Sequence, residues 1–486
     1  MSELRQLTSL DAQFLALESG RHTGHVAGLA ILDASTAPGG RFGCEEVRAL
    51  IRDRLPLLPP LRWRVREVPL GLDYPYWVED EAFDLDYHVR EIALPRPGSD
   101  KQLAAQVARI HSRALDRRRP LWELYVIEGL QSGHVAMLTK IHHAVIDGMS
   151  GAEIMGLLLD LTPEPREVPP VGNGDRLGAD PGTVSMLARG AAGLPKYPLR
   201  VLRALPSTLP NMPEAPAVFG AIPGARTVSR LAGRAASVLG GDVIEHPELV
   251  APKTSFSGRV SPHRRFAFGQ LSLDEVKAVK NAHGVTVNDV VVALCAGAVR
   301  RWLIEHEELP EEPLVAQIPV SVRTGEQFGT YGNRIPLMRA PLFTDEPDPV
   351  ERLRRTHDAL REMKDRHRAL PAQLLQDANH FIPPAVFARA AQLSFRVSTS
   401  RAGRPAWNLV ISNVPGPQFP LYCAGARLFA HYPVSVITDG MGLNITVMSY
   451  MGSLDFGLVA DREQMPDLAK LMDWLRESLE ELRATA

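Results

Sequence analysis

Residues 140–151 read Lys-Ile-His-His-Ala-Val-Ile-Asp-Gly-Met-Ser-Gly. An apolar, strand-like run from Val135 to Leu138 precedes this stretch, and an apolar, helix-like run from Ala152 to Leu161 follows it. Adjacent side chains of an extended strand point to opposite faces, so one histidine of the pair can face a reaction space while the other packs behind it. A general base held at a strand end by a carboxylate is what acyl transfer to an alcohol or amine requires.

The spacing of His142, His143, Asp147 and Gly148 favours function over a pair of core histidines before an ordinary turn. Histidine suits general-base work because its reference pKa, about 6.5, lies near neutral pH. Asp147 can fix a histidine tautomer or pair with an arginine, and Gly148 permits a sharp turn. His, His and Asp also bind metals, but neighbouring strand histidines diverge and no HExxH or CxxC motif occurs. The sequence therefore predicts no metal.

Length and composition restrict the class of protein. A chain of 486 residues is too long for one ordinary core, and a formal net charge of -2 gives no basic field for nucleic acid. Three widely spaced cysteines, Cys44, Cys295 and Cys423, suggest a reducing compartment. Without a secretory signal or a long apolar run we expect a cytoplasmic protein. No GxSxG, Walker A or Rossmann motif occurs, so an acyl donor should arrive already activated, as a thioester.

Hydrophobic spacing indicates two regions that each mix helices and strands, separated by a connector. We expect an N-terminal domain over 1–165, a connector rich in Pro, Gly and Ala over 166–260, and a C-terminal domain over 261–486. The pattern lacks a βαβ rhythm, which favours α+β sandwich-like domains over a doubly wound sheet. The strand-like runs are 25–32, 121–127, 134–141, 265–271, 314–322, 408–412, 428–436, 444–450 and 454–458. The helix-like runs are 45–55, 101–116, 150–161, 272–284, 286–305, 349–378 and 465–482.

The connector contains a basic segment, 183–239. This segment has seven Lys and Arg residues and one acidic residue, Glu214. Apolar residues alternate with the basic ones, as they do in segments that lie on anionic lipid. The same pattern fits a solvated linker whose apolar face packs on the two domains, and the sequence favours neither interpretation.

Weaker candidates lie outside the histidine pair. Asn288 suits an oxyanion donor or a tunnel wall, but Thr286 to Asp289 also fits an ordinary helix start. Trp122 suits a tunnel wall, although a core tryptophan is the commoner case. A loop with Gly325, Gly329 and Gly332 could approach phosphates or could be a plain flexible turn.

Several motifs follow one another along the chain: Leu10-Asp11-Ala12-Gln13-Phe14-Leu15, Pro120-Leu121-Trp122-Glu123, His142 to Gly148, Thr286 to Val291, Pro319 to Arg323, Gly332-Asn333 and Ser412 to Pro417. Taken together in this order, they resemble the bacterial wax ester synthase/acyl-CoA:diacylglycerol acyltransferase family nearly end to end. The HHxxxDG motif alone is shared with chloramphenicol acetyltransferases and with peptide-synthetase condensation domains.

The resemblance implies two chloramphenicol-acetyltransferase-like domains, joined by a crossover and enclosing a tunnel. His143 would be the general base, with His142 and Asp147 supporting the local structure and Arg323 a candidate partner of Asp147. Long-chain acyl-CoA would be the co-substrate, with no further cofactor, and diacylglycerol or a fatty alcohol would be the acceptor. Candidate substrate contacts are Trp122, Asp289, Arg323 and Asn413. Such substrates place the protein in the cytoplasm, with peripheral contact through 183–239 at the inner membrane surface or lipid inclusions.

Two other functions remain open at this stage. One is a condensation-type N- or O-acyltransferase that uses another thioester donor, although no carrier-protein segment is apparent. The other is a non-catalytic lipid-binding protein that retains the fold.

Overall fold

The computed structural model describes residues 4–146, 156, 158–168, 177, 180–193, 249–319, 337–368, 389, 393, 396, 399–400 and 403–486. The strands are β1 (Arg5–Gln6), β2 (His25–Asp33), β3 (Trp63–Arg66), β4 (Tyr76–Glu79), β5 (Val89–Ala93), β6 (Trp122–Glu128), β7 (Val135–His142), β8 (Arg264–Ser272), β9 (Leu314–Pro319), β10 (Leu337–Leu342), β11 (Leu409–Val414), β12 (Tyr422–Cys423), β13 (Ala426–Val434), β14 (Leu443–Tyr450) and β15 (Ser453–Asp461). The α-helices are α1 (Ser9–Leu17), α2 (Cys44–Arg54), α3 (Leu85–His88), α4 (Asp100–His111), α5 (His143–Ile146), α6 (Thr183–Gly193), α7 (Leu273–His283), α8 (Val287–Glu305), α9 (Pro349–Arg368) and α10 (Lys470–Arg483).

The strand that carries the histidine pair, β7, lies inside a six-stranded sheet of order β12-β13-β2-β7-β6-β5. It pairs antiparallel with β2 on one side and with β6 on the other, so His142 lies opposite His25. All but one residue of β7 are buried, as expected for a strand that is covered on both faces. A small sheet of order β1-β4-β3 lies beside this unit.

The first sheet takes two of its strands from the C-terminal half of the chain. β13 pairs antiparallel with β2, with Tyr432 opposite Leu29, and β12 extends the edge. The backbone N–H of His431 on β13 donates to Asp455 Oδ2 on β15 at 2.8 Å, which links this strand to the second sheet. The two halves of the sequence are therefore interlocked in space.

The second sheet has the order β10-β9-β11-β14-β15-β8, with β11 parallel to both of its neighbours. Helix α8 packs against it and is buried almost throughout, from Asp289 to Val299. Thr286 caps this helix, because its hydroxyl accepts the Asp289 N–H while the Asp289 carboxylate accepts the Thr286 N–H. Among the described helices none is long and apolar enough alone to cross a membrane; α7 and α8 pass that test only as a pair, and they meet at 102°.

Most predicted elements are present, with differences at their ends. The helix predicted over 101–116 ends at His111. The chain turns away there, and the Lys140 ammonium donates hydrogen bonds to the carbonyls of Ile110 and Arg113. The short strands β3, β4, β5 and β10 were not predicted; they are four to six residues long, too short for a periodic signal.

The boundaries predicted at 165/166 and 260/261 stay a prediction, because most of the connector lies outside the described residues. The predicted division assigns each domain one consecutive segment of the chain. The sheet pairing differs from this, because residues 422–434 of the C-terminal half belong to the first sheet.

Candidate active site

The histidine pair lies where β7 ends and α5 begins. His142 is the last residue of the strand and His143 the first of the helix. The His142 ring is fully buried, and its Nδ1 accepts the N–H of Ala144 at 3.0 Å. A neutral imidazole that accepts at Nδ1 carries its proton on Nε2, and His142 Nε2 lies 3.3 Å from Glu18 Oε1. His142 therefore caps the helix and contacts a carboxylate.

Glu18, directly after α1, is held by three groups. Its Oε1 accepts the Gly24 N–H at 2.8 Å, and its Oε2 accepts Nε and Nη2 of Arg117 at 3.1 and 2.9 Å. Burial alone would raise the pKa of Glu18, but contacts with His142, the Gly24 amide and Arg117 lower that pKa to about 2. Glu18 is therefore a fixed negative charge beside His142.

Gly24 brings the chain closer to His142 than any other residue type could. A Cβ at this position would lie 2.5 Å from His142 Nε2, closer than any van der Waals contact. The carbonyl of Gly24 also accepts the backbone N–H of His143 at 2.9 Å. One glycine therefore sets the position of both histidines.

His143 differs from its neighbour because its ring is partly exposed. It stacks on Phe14 of α1, with ring centroids 4.6 Å apart and planes 12° from parallel. Its Nδ1 is buried and has no hydrogen-bond partner among the described residues. Burial, and to a lesser extent the nearby His142, lowers the pKa of His143 to about 4. The ring is therefore neutral at pH 7 and can accept a proton.

A polar layer beneath the pair fixes β7 to α4. Lys140 is fully buried, donates to the Ile110 carbonyl at 3.2 Å, and lies 3.6 Å from Glu123 Oε2. Burial lowers the pKa of Lys140 to about 8 despite the opposing effect of Glu123. His25 Nε2 donates to the carbonyl of His111 at 2.8 Å. Strand and helix are thus joined three residues before His143.

The asparagine candidates contact each other. Asn413 Nδ2, on β11, donates to Asn288 Oδ1 in the first turn of α8 at 3.4 Å, and both residues are partly exposed. No described contact joins them to His143. The structure thus brings together Asn288 and Asn413, which the sequence predicted separately.

Two predicted substrate contacts have structural roles in the described part of the chain. Asp289 is buried, caps α8, and accepts from His357 Nδ1 on α9 at 2.8 Å. Trp122 is 2% exposed, stacks on His88, and donates its indole N–H to the Leu61 carbonyl at 2.7 Å. Their contacts are those of core residues, because every polar atom that they bury is used within the fold. Asp147, Gly148 and Arg323 lie outside the described residues.

Sequence reasoning missed Glu18, Gly24, Phe14 and Arg117. Phe14 lies inside the motif from Leu10 to Leu15, and Glu18 follows it closely, so the motif was noticed but was given no role. The physical signal is weak, because a glutamate after a helix and a glycine before a strand are common. Only the pairing of β2 with β7 shows that Gly24 adjoins the histidines.

Comparison with known proteins gives two family models and relatives over nearly the full length. The wax ester synthase/diacylglycerol acyltransferase catalytic domain matches residues 7–291, and the WS/DGAT C-terminal domain matches 331–483. The O-acyltransferase WSD of Acinetobacter baylyi is 34% identical over 98% of this chain and 96% of its own length. A Mycobacterium tuberculosis protein, named provisionally as a diacylglycerol O-acyltransferase, is 36% identical over 99% of this chain and 90% of its own.

Solved structures agree with the family models. The wax ester synthase/diacylglycerol acyltransferase from Marinobacter aquaeolei VT8 matches with a TM-score of 0.69 and 30% identity over 99% of both chains. The first condensation domain of the CDA synthetase, at 13% identity and a TM-score of 0.53 over 99% of this chain and 96% of its own, shares the fold alone. The fold is thus the predicted pair of chloramphenicol-acetyltransferase-like, condensation-domain-like α+β units. The chain belongs to the wax ester synthase/diacylglycerol acyltransferase family and is an acyltransferase.

Proposed function

We propose that this acyltransferase moves a long-chain acyl group from acyl-CoA to the hydroxyl of diacylglycerol, a long-chain alcohol or both, with His143 as general base. The observation that carries the proposal is the state of His143: a neutral, partly exposed imidazole with a lowered pKa. Its buried neighbour His142 is braced by Glu18. The names of the relatives, diacylglycerol O-acyltransferase and wax ester synthase, support the choice of acceptors.

The reaction is a single displacement. His143 removes the proton of the acceptor hydroxyl as its oxygen attacks the thioester carbonyl. The tetrahedral intermediate then collapses with cleavage of the C–S bond, and the CoA thiolate takes up the proton. No acyl-enzyme forms, so acyl-CoA acts as co-substrate and no further cofactor takes part.

His142 and Glu18 orient His143 and do not themselves act on the substrate. His142 caps α5 through Nδ1, its Nε2 lies 3.3 Å from Glu18 Oε1, and the residue is fully buried, so its ring is not open to the acceptor. We assign it, with Asp147 and the turn residue Gly148, to support of His143.

We assign the carboxamide pair Asn288 and Asn413 to the tetrahedral oxyanion or the acyl tunnel. An amide N–H that donates to the negative charge developing on the oxyanion typically raises turnover by roughly 10²–10³-fold. Arg323 remains our candidate partner for Asp147.

We also propose a cytoplasmic protein with peripheral contact, through 183–239, at the inner membrane surface or at lipid inclusions. Helix α6 is the described part of that segment. Met186 is buried on its inner face, while Val184 is 81% exposed and Arg189 is exposed as well. An outward face with an apolar and a basic side chain fits lipid contact.

The test is turnover of purified protein with palmitoyl-CoA and either diolein or hexadecanol, followed as CoA release and as neutral lipid. His143→Ala should lose roughly 10²–10⁴-fold in rate, the usual worth of a general base. His134→Ala is the matched control, because His134 is a partly exposed histidine at the far end of β7 that stacks on Phe429. Equal rates in His143→Ala and wild type would remove His143 from the mechanism. Activity only with aminoacyl or peptidyl thioesters would replace the proposed donor.

A further inference from the structure

Three apolar side chains are exposed on one uncharged part of the surface. Val414, Phe419 and Met451 are 37%, 51% and 39% exposed. Val414 is the last residue of β11, Phe419 lies in the loop that follows it, and Met451 lies at the tip of the β14–β15 hairpin. We call the segment 414–420 and the hairpin turn 450–453 the apolar platform.

The platform is rigid because the loop is fastened to the hairpin. The Gly416 N–H donates to Ser449 Oγ at 3.0 Å, and the Gly452 N–H donates to Gln418 Oε1 at 2.9 Å. A Cβ on Gly416 would lie 2.2 Å from the Ser449 carbonyl oxygen, so the two backbones are in direct contact. The exposed side chains are therefore presented together.

Met451 is conformationally unusual. It has φ 44°, in the left-handed region where Gly, Asn and Asp are the usual residues. An apolar side chain at an exposed hairpin tip carries both a conformational cost and a solvation cost. Contact with a low-polarity partner would offset the solvation cost.

The two segments that form the platform carry no charged residue. Residues 408–426 and 440–454 contain no Asp, Glu, Lys or Arg, although charged residues make up 23% of the chain. An anionic membrane or an acidic protein would be recognised by basic side chains, and these segments have none.

The start of helix α7 lies beside the tip of the β14–β15 hairpin and carries charged residues. The Leu273 N–H donates to the Gly452 carbonyl at 2.9 Å. Asp274 and Glu275 follow, paired with Lys277 at 3.3 Å and Arg483 at 2.7 Å. The charges at this edge are therefore paired, and they leave no net basic charge that would attract an anionic surface.

The platform is continuous with the candidate site. Asn413, which donates to Asn288, is the residue before Val414 on β11, so the platform begins one residue from the asparagine pair. We propose that the apolar platform docks on uncharged lipid, the phase in which the water-insoluble acceptor of the proposed function resides. This contact is independent of salt, unlike one made by the basic connector.

Flotation of the full-length protein with a triolein emulsion coated with phosphatidylcholine tests the inference. Phe419→Asp and Met451→Asp should each reduce the bound fraction at least tenfold, since burial of one such side chain is worth roughly 10- to 100-fold in partition. Leu70→Asp is the control for Met451, because Leu70 is 83% exposed and also left-handed, with φ 62°. Ile304→Asp is the control for Phe419; Ile304 is 50% exposed at the opposite end of α8 from Asn288.

Wild type and both controls should float equally at low salt and in 0.5 M NaCl. Turnover of all variants on detergent-dispersed acceptor should equal that of wild type. The inference is overturned if the platform variants float as wild type does, if salt releases the wild-type protein, or if the same variants abolish a self-association that accounts for the exposed surface. Flotation without any acyl transfer would instead overturn the proposed function and leave the platform in place.

Discussion

Two helix starts carry motifs predicted to be functional, and they use their polar side chains differently. At α8, Thr286 and Asp289 form an ordinary capping box, and Asp289 also binds His357. At α5, a buried histidine takes the cap position, and a second histidine beside it keeps an unpartnered nitrogen. From this comparison we infer that a motif residue whose bonds are used by the fold is structural, whereas one that combines an unpartnered polar atom with partial exposure is the better candidate for chemistry.

The largest effect is expected at the α5 site from Gly24→Ala. The new Cβ would meet His142 Nε2 at 2.5 Å, so the histidine pair must shift. A displacement near 1 Å can cost roughly 100-fold in rate, and kcat/KM should fall by about that factor. Gly20→Ala is the control, because a Cβ at Gly20 meets nothing within 4 Å. Full activity in Gly24→Ala would show that the close approach has no role.

A smaller loss is expected from Glu18→Gln. The amide keeps the shape and can still accept the Gly24 N–H, but it no longer offers a charge to His142. Charged hydrogen bonds exceed neutral ones by roughly 1 kcal/mol, so kcat should fall by about fivefold while KM changes little. Glu67→Gln is the control, since it removes the other carboxylate that binds Arg117. A loss of equal size in both variants would place the effect on Arg117.

The smallest effect on activity is expected at the α8 start. Asp289→Asn weakens a cap and should lower the free energy of unfolding by about 1 kcal/mol, measured in urea, while turnover per folded molecule stays within twofold. Asn288→Ala should do the reverse, with stability little changed and turnover lowered. If Asp289→Asn proves to be the variant that abolishes turnover, the contrast between the two helix starts is wrong.

The sequence predicted the fold class, most long elements and the histidine pair, because each rests on local patterns. The strand predicted over 134–141 and the cap predicted at Thr286 are both present, and neither prediction needed any knowledge of distant contacts. The placement of β13 beside β2 was not predictable in this way, because the pairing joins residues about 400 positions apart.

Glu18 and Gly24 show the same limit within the site. Each is an ordinary residue for its position in the sequence, and each comes to lie beside the histidine pair only through the tertiary fold. Trp122 and Asp289 show the opposite case, since a residue inside a family motif can also serve packing or capping; their predicted substrate contacts stay a prediction.

The reactivity of His143 toward diethylpyrocarbonate between pH 5 and 7 tests the central claim most directly. The reagent modifies an imidazole in its neutral form and not in its protonated form, and peptide mapping follows each histidine in the wild-type protein. Because the pKa of His143 is lowered to about 4, its modification rate should change less than twofold over this range, and enzyme activity should be lost in parallel. A histidine with a pKa near 6.5 would slow by roughly 25-fold from pH 7 to 5. A His143 rate that follows that steep curve, or complete modification of His143 with activity retained, would contradict the account.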